Sequence, residues 1–277
     1  MNRLPVVAGK FYYGSPTGLK RQVQQYLVPE AARQRALGIV APHAGFVYSG
    51  AVAGAVYSAI TAPKTFVLLG PNHTGMGARI SLYSEGAWEI PTATFPVDEA
   101  LAQQLLAESD LVQRLFGESA LMKPDTAAHL REHSLEVQLP FIAETAKNAS
   151  IVPIAVMHAS LEECRSAGEA IAAAIRQASY EVTMVASTDM SHYVSDATAR
   201  RLDNLALERI MALDPEGLYK TVHEYRISMC GVYPTTIMLF AAKELGAGQV
   251  RQIRYATSAE VSGDYEQVVG YAGLLVT

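Results

Sequence analysis

Histidine follows four of the strands that the sequence predicts, at the point where each strand gives way to a polar turn. The segments are GIVAPHAG with His43, FVLLGPNHTGMG with His73, IVPIAVMH with His158, and VTMVASTDMSHY with Asp189 and His192. In open α/β sheets, ligands gather beyond the carboxyl ends of the strands. Imidazole binds zinc, iron and copper, and two histidines with a third ligand are typical of non-haem iron sites. Glycine and proline place His43 and His73 in tight turns, so this pair is predicted to bind a metal ion.

Three further histidines lack this combination of strand end and tight turn. His158 follows a strand, but no glycine or proline turn surrounds it, so we interpret it as a structural residue. His129 and His223 stand in polar segments and are predicted to lie at the surface. Imidazole is the commonest metal-binding side chain, but each of these histidines, taken alone, is read as an ordinary hydrogen-bonding residue.

Asp189 and His192 stand three residues apart in the segment STDMSHY. One turn of helix would bring both side chains onto one face. In that arrangement Asp189 would orient an imidazole, and His192 would act as a general acid or base. The alternative is that Ser187, Thr188 or Asp189 caps the start of a helix. The two interpretations are compatible, and both are kept.

His133 and Glu136 repeat this spacing in the segment REHSLE. His133 is therefore a second candidate for proton transfer in the site. The alternative is that this charged segment simply begins a helix, where acidic side chains favour the helix dipole.

Cys230 lies immediately before a predicted helix that Pro234 would open. A helix N-terminus lowers the pKa of a thiol and favours the thiolate, which is the form that binds metals or attacks carbon. Gly231 would let the backbone approach closely at this point. The alternative for any free cysteine is a small buried apolar residue, and this interpretation suits Cys164.

The elements that must position these residues alternate along the chain. The predicted strands are Leu37–Ala41, Thr65–Leu69, Ile151–Met157, Val182–Ser187, Val250–Ala256 and Val268–Val276. The predicted helices are Thr17–Leu27, Ser49–Ile60, Asp98–Ala107, Leu161–Ala178, Asp196–Ala212 and Tyr233–Leu245. Several strands are continuous apolar runs, which indicates burial on both faces. The pattern predicts an α/β fold, a three-layer α/β/α sandwich around a mixed, largely parallel sheet.

Two segments are harder to assign from their pattern. Residues 133–147 fit a strand or a helix, and we favour a helix that is bent or begins near Pro140. Residues 84–97, with Trp88 and two prolines, are predicted to form a long surface loop. No repeat, low-complexity tract or linker divides the chain, so residues 1–277 are expected to form a single domain.

Composition narrows the classes of function. Half of the residues are hydrophobic and the net charge is −5, which indicates a globular protein and argues against nucleic acid as a partner. There is no run of 18 apolar residues and no signal peptide, so no membrane association is expected. The two cysteines form no CxxC motif, which favours a reducing cytoplasm. Dinucleotide, P-loop, zincin and nucleophile-elbow motifs are also absent from the sequence.

Five short motifs in one order give the chain a specific resemblance. APHAGFVYSG, LGPNH, EHSLEVQLPF, STDMSH and CG together resemble the Memo family, which in prokaryotes is also called AmmeMemoRadiSam system protein B. The resemblance runs from AGKFY near the start to YAG near the end. It implies a LigB-like fold, similar to the catalytic subunit of class III extradiol dioxygenases, which use non-haem iron to open catechol rings.

The resemblance also assigns roles to residues. His43 and His73 correspond to the two metal-binding histidines, and Cys230 stands where the dioxygenases have a carboxylate ligand. Asp189 and His192 match other polar residues of the family's site. The implied cofactor is iron(II) or copper, with zinc also compatible because thiolate is a soft ligand. The implied partners are a small molecule and the radical SAM proteins of the same system.

The chain departs from the eukaryotic relative at two places. That relative has a histidine where Val6 or Val7 stands here, and an Arg-His pair where this chain has Val232 and Tyr233. The eukaryotic protein is linked to receptor-driven cell motility and to phosphopeptide binding. A phosphopeptide role that depends on those basic groups does not carry over to this chain.

Three classes of function follow from these residues. The first is a metal-dependent oxidoreductase, in which His192 or His133 handles protons beside the metal. The second is a cysteine-dependent hydrolase or transferase, with Cys230 as nucleophile, His192 as base and Asp189 as its orienting group. The third is a non-catalytic protein that uses the same site to bind a metal or a peptide.

Overall fold

The predicted strands form the centre of one mixed sheet in a computed structural model of the chain, which describes residues 2–116 and 121–277. The strands are, in chain order, β1 (Asn2–Arg3), β2 (Gly38–Ala41), β3 (Thr65–Pro71), β4 (Ile80–Leu82), β5 (Ala87–Ile90), β6 (Ala93–Pro96), β7 (Lys123–Pro124), β8 (Ser150–Val156), β9 (Val182–Ser187), β10 (His192–Val194), β11 (Val250–Thr257) and β12 (Val268–Val276). All six strands predicted from the sequence are confirmed to within two residues at either end.

The six predicted helices are also present, with others between them. The helices are, in chain order, α1 (Pro16–Tyr26), α2 (Phe46–Ser58), α3 (Glu99–Phe116), α4 (Leu139–Thr145), α5 (Leu161–Gln177), α6 (Asp196–Met211), α7 (Pro215–Glu224), α8 (Val232–Glu244) and α9 (Ala259–Ser262). A 3-10 turn at Glu136–Gln138 leads into α4, with Pro140 in its first turn, as expected for a helix that begins near this proline. Helices α7 and α9 are not among the helices predicted from the sequence.

The main sheet has a parallel centre and antiparallel flanks. Its order is β10-β12-β2-β9-β3-β8-β4-β7, with β11 paired to β12 beside this path. Strands β2, β9, β3 and β8 are parallel neighbours, whereas β12 runs antiparallel to β2 and β4 runs antiparallel to β8. The central strands are buried along almost their whole length, which explains their continuous apolar runs.

Helices cover both faces of this sheet. Helices α1, α2 and α4 pack together on one side, and α3, α5 and α8 pack together on the other. Helix α5 begins with the capping box of Ser160 and Glu163 that its sequence indicates. Among the described residues, no helix is long and apolar enough to cross a membrane. The three-layer α/β/α architecture around a mixed sheet is confirmed.

The prediction of a surface loop at residues 84–97 is wrong. This segment supplies β5 and β6, which form a small sheet with β1. Trp88 is fully buried in this sheet, with the Arg3 guanidinium 4.1 Å from its ring centroid. Pro91 lies in the turn of the hairpin and Pro96 at its end. Both are positions where a β-hairpin tolerates proline, so neither proline indicates a loop.

The register of the central strands brings their carboxyl ends to one edge. Ala41 of β2 pairs with Ser187 of β9, and Leu69 of β3 pairs with Ala186. His43, His73 and Asp189 each stand two residues beyond the end of their strand. The loops that carry them therefore start side by side at the same edge of the sheet.

Candidate metal centre

Three histidines meet at this edge of the sheet. His43, His73 and His133 each offer a ring nitrogen, and these atoms lie within 4.8 Å of one another. The rings of His73 and His133 stack with centroids 4.8 Å apart, and the His43 ring stands edge-on to both, at 5.3 and 5.5 Å. His43 is buried, whereas the side chains of His73 and His133 are 36% and 24% exposed. The cluster thus forms a site with a closed floor and an open mouth, and it could hold a metal ion.

His43 is fixed at the floor of the site through both its backbone and its ring. Its backbone N–H donates to Oδ1 of the buried Asp189 at 2.8 Å. Its ring Nδ1 lies 2.9 Å from the hydroxyl of Ser187, the last residue of β9. The same hydroxyl accepts from Nε2 of Gln138 at 2.8 Å and donates to the carbonyl of Ser134 at 2.8 Å. This network leaves the other ring nitrogen, Nε2, to face the site.

Glu132 holds the other two histidines. Its carboxylate accepts from the His73 backbone N–H at 2.5 Å and contacts the ring Nδ1 of His73 at 2.9 Å. It also accepts from the backbone N–H groups of His133 and Ser134, both at 2.9 Å, and lies 3.3 Å from the ring Nδ1 of His133. Its side chain is 1% exposed. One buried carboxylate therefore orients two imidazoles and the loop that carries His133.

Charge and burial set the protonation of these groups. Burial, with the neighbouring charges of His133 and His73, holds the pKa of His43 well below its ordinary value. Burial also lowers the pKa of His133, although Glu132 opposes this effect. Burial alone would lower the pKa of His73, but the hydrogen bond and the charge of Glu132 outweigh it and raise that pKa. His43 and His133 are therefore neutral near pH 7, which is the form that binds metals.

The pKa of Glu132 moves in the direction that these contacts require. Burial alone would raise it, but the hydrogen bond and the charge of His73, with the backbone donors, lower the pKa to about 2. Glu132 is thus a carboxylate throughout the neutral range and can only accept hydrogen bonds.

Cys230 approaches the cluster from the start of α8. Its Sγ lies 3.4 Å from Nε2 of His43, and it accepts from the backbone N–H of Asp189 at 3.2 Å. Nitrogen and sulfur ligands of one tetrahedral ion, at bond lengths of about 2.0 and 2.3 Å, would be separated by roughly 3.5 Å. The donors gathered here, imidazole nitrogen and sulfur, fit a transition-metal ion such as iron, copper or zinc.

The expected lowering of the Cys230 pKa is not found. Burial, followed by the negative charge of Asp189, raises the pKa of this thiol well above its ordinary value. Burial outweighs the helix N-terminus because the sulfur is shielded from solvent beside Nε2 of His43. A metal ion that replaces the thiol proton would overcome this cost.

Asp189 and His192 do not share a helix, and neither caps one. Residues 188–191 connect β9 to β10 without regular secondary structure, so the expected helical turn is wrong. Asp189 turns inward and holds the His43 backbone, and burial raises its pKa. His192 is half-buried, and its ring Nδ1 lies 2.8 Å from the carbonyl of Ser228. Its Nε2 is the nitrogen left for proton transfer.

The three other histidines lie outside the cluster. His223 is exposed, as predicted. His158 is exposed as well, 3.5 Å from the Arg79 guanidinium and packed against the Tyr233 ring. The surface placement predicted for His129 is wrong. This residue is fully buried against Tyr83 and Trp88, and burial lowers its pKa to about 4.

Sequence reasoning missed two residues that build the site. Glu136, whose spacing from His133 singles it out in the sequence, binds Arg3 at 2.8 Å, whereas Glu132 is the carboxylate that contacts the histidines. Gln138 stands in a segment whose pattern fits a strand or a helix. The one signal for Glu132 in the sequence is its position beside His133 in EHS, and Gln138 carries no such signal.

The chain is similar to known proteins along its whole length. The family model described as Memo-like protein matches residues 3–275. A MEMO1 family protein of Methanothermobacter thermautotrophicus is 38% identical over 99% of this chain and all of its own length. MEMO1 family proteins of Methanopyrus kandleri and Aquifex aeolicus are both 37% identical over 99% of this chain, and over 99% and 98% of their own lengths.

Proposed function

Because this chain belongs to the Memo-like protein family, we propose that it is a metal-dependent oxidoreductase that acts on a small molecule in the cytoplasm. The observation that carries the proposal is the convergence of His43, His73 and His133 at the open edge of the sheet. Each ring has its Nδ1 beside a hydroxyl or carboxylate oxygen, which leaves Nε2 for a ligand. Partners of this kind orient the histidines of metal sites.

The proposed ligands are His43, His73 and Cys230. The 3.4 Å between His43 Nε2 and Cys230 Sγ already suits two ligands of one ion. Cys230 would also bring a negative charge, which the three imidazoles lack when they are neutral. His133, the third member of the cluster, is then left to contact a bound substrate at the mouth of the site.

The chain's own residues would bind, orient and move protons around the ion. Iron(II) or copper would supply redox chemistry in such a site, whereas zinc would supply only Lewis acidity. His133, neutral near pH 7 because burial lowers its pKa, can accept a proton from a substrate. His192 is the second proposed acid or base, through its Nε2. Asp189 positions the His43 turn and takes no proton from a substrate, since its contact is with backbone.

Metal content tests the ligand assignment directly. The protein is purified without oxygen, and its iron, copper and zinc are measured by elemental analysis. We expect about one equivalent in the wild type and a loss of at least tenfold in His43→Ala and Cys230→Ala, since each removes one of three ligands. His223→Ala is the matched control, because it removes an exposed histidine outside the cluster. Wild-type protein without stoichiometric metal would contradict the proposal.

His133→Ala separates a ligand from a substrate-contacting residue. If His133 contacts substrate, the variant retains its metal and loses turnover in a screen of catechols and other small redox substrates. Loss of the metal would instead make His133 a ligand.

A second candidate function rests on the contact between Cys230 and His43. A thiol 3.4 Å from an imidazole whose other nitrogen contacts Ser187 has the arrangement of a nucleophile, its base and an orienting group. The raised pKa of Cys230 opposes this function, because the thiolate is the nucleophile. A thiol-directed alkylating reagent distinguishes the two: a metal-free protein that reacts at Cys230 faster than free cysteine at neutral pH would favour the nucleophile.

A further inference from the structure

The hydrogen bonds behind His43 determine which ring nitrogen carries its proton. The Ser187 hydroxyl has a single proton, and its bond to the Ser134 carbonyl, which can only accept, uses that proton. Ser187 must therefore accept from its two remaining partners, Gln138 Nε2 and His43 Nδ1. The proton of His43 must then be on Nδ1.

The amide of Gln138 is itself oriented by the Pro42 carbonyl, which can only accept. Its Nε2 donates to the Pro42 carbonyl at 3.0 Å, so the amide nitrogen is on this side. Its oxygen accepts from the Tyr57 hydroxyl at 3.0 Å on the other side. Gln138 is fully buried. The amide therefore cannot turn over to offer Ser187 an acceptor, and the direction of the whole chain of hydrogen bonds is fixed.

The same argument holds for His73. The Glu132 carboxylate has no proton to offer, so the His73 Nδ1 that lies 2.9 Å from it must be a donor. Three backbone N–H groups point at the same carboxylate and hold it in place. Behind it, the Arg3 guanidinium donates to the Glu132 carbonyl at 2.5 Å and so ties the loop to the N-terminal strand.

We propose that Glu132, Ser187 and Gln138 are positioning residues that fix His43 and His73 as Nδ1–H tautomers, so that both rings present an unprotonated Nε2 to one shared ligand. The lone pair of Nε2 is what a metal ion requires of a neutral imidazole. The benefit to a metal ion rests on the proposed function, whereas the tautomers are a property of the protein alone. None of the three residues needs to touch the ligand.

Nitrogen-15 NMR of the imidazole rings tests the proposal on the full-length, metal-free protein. Long-range proton–nitrogen spectra distinguish a protonated ring nitrogen from an unprotonated one. They are recorded at rising pH until both rings are neutral, because Glu132 raises the pKa of His73. Signals are assigned by removing each histidine in turn. We expect Nδ1–H for His43 and for His73. An Nε2–H tautomer for either ring would overturn the proposal.

Two variants remove the acceptors one at a time. Glu132→Met keeps the size of the side chain without an acceptor, and Ser187→Ala removes the hydroxyl. In Glu132→Met we expect His73 to populate both tautomers instead of Nδ1–H alone. In Ser187→Ala we expect the same change at His43. The affinity for Zn²⁺ alone, measured by competition with a chelating dye, should fall about 10- to 100-fold in each.

Glu136→Met is the matched control for the loss of a buried carboxylate. Glu136 is as buried as Glu132 and accepts from Arg3, Tyr12 and two backbone N–H groups, but it contacts none of the cluster rings. The Glu136→Met variant should leave the tautomers of His43 and His73 unchanged. Unchanged tautomers in both acceptor variants would overturn the proposal. A wild type with both Nδ1–H tautomers but no metal affinity would support it and contradict the proposed function instead.

Discussion

At the scale of single residues, the histidine cluster depends on one buried charge. Glu132 accepts every hydrogen bond made to its side chain, and His73 gains a raised pKa from it. The pKa of Glu132 falls from 4.5 to about 2 on folding, so the folded state favours the ionised form. A carboxyl group of this kind stabilises the fold above its unfolded pKa, and the stabilisation is lost as the pH falls through the folded value.

We therefore expect the free energies of unfolding of the wild type and Glu132→Met to differ by an amount that depends on pH. A shift from 4.5 to about 2 corresponds to about 3 kcal/mol of free energy of unfolding at neutral pH. This contribution of the ionised carboxylate to the free energy of unfolding should be present above about pH 5 and should shrink as the pH falls towards 2. Urea unfolding at a series of pH values measures it. A difference that is constant from pH 6 to 3 would show that Glu132 contributes packing and neutral hydrogen bonds only.

Single residues also show what the sequence could and could not predict. His43 and His73 were identified because each follows a recognisable strand in a tight turn, and both signals are local. Glu132 and Gln138 were not, because their contacts join segments 59 and 49 residues apart. His129 was misplaced at the surface, since its polar neighbours in sequence conceal the aromatic pocket formed by Tyr83 and Trp88.

At the scale of elements, the junction between β9 and α8 is packed without room for a side chain at Gly231. A Cβ there would lie 2.5 Å from the Ser187 carbonyl oxygen and 2.4 Å from the Cβ of Thr188. The Gly231 N–H also donates to the Thr188 hydroxyl at 2.9 Å. This close approach is what brings Cys230 against the β9 loop and His43.

Gly231→Ala should therefore push the start of α8 away from β9. We expect it to destabilise the protein by about 1–3 kcal/mol, as overpacking commonly does, and to weaken Zn²⁺ binding because Cys230 moves with it. Gly248→Ala is the control, since a Cβ at that glycine meets nothing within 4 Å. Chemical denaturation and zinc competition measure the two effects. Wild-type zinc affinity in Gly231→Ala would show that the position of Cys230 does not matter for the metal.

The N-terminal strand is the second element on which the site depends. Arg3 of β1 is 2% exposed and binds Glu136, and it also donates to the backbone carbonyls of His129 and Glu132. These contacts hold the loop that carries Glu132 and His133. The strand is only two residues long, so its role could not be read from apolar periodicity. The longer central strands could be predicted from the sequence, because burial on both faces leaves a continuous apolar run.

Replacing Arg3 by methionine should leave the Glu136 carboxylate buried without its cation. Breaking a buried pair in this way costs about 3–5 kcal/mol, and the free energy of unfolding from urea titration should fall by that amount. The control is Arg35→Met, since Arg35 pairs with Glu181 at the surface, where the two side chains are 72% and 49% exposed. That exposed pair is expected to contribute less than about 1 kcal/mol. Equal losses in the two variants would contradict the structural role of Arg3.

At the scale of the whole molecule, the site exists only when distant parts of the chain have folded together. His43, His73, His133 and Cys230 come from four separate segments, and each contacts another segment. The sequence predicted the architecture that gathers two of them, His43 and His73, because parallel strands end at a common edge. It could not predict how the loop of His133 folds back over this edge, since that loop follows no central strand.

A ligand that binds these groups only in the folded state must stabilise the entire fold. Free Zn²⁺ at about 100 times its dissociation constant adds about 2.7 kcal/mol, and for a chain of this size each kcal/mol raises Tm by roughly 2–4 °C. We therefore expect Tm to rise by about 5–10 °C in differential scanning calorimetry of the wild type. His43→Ala should show less than about a quarter of this rise, because it loses the buried ligand at the floor of the site, while His223→Ala should match the wild type. A similar rise in all three proteins would mean that zinc binds elsewhere on the folded chain.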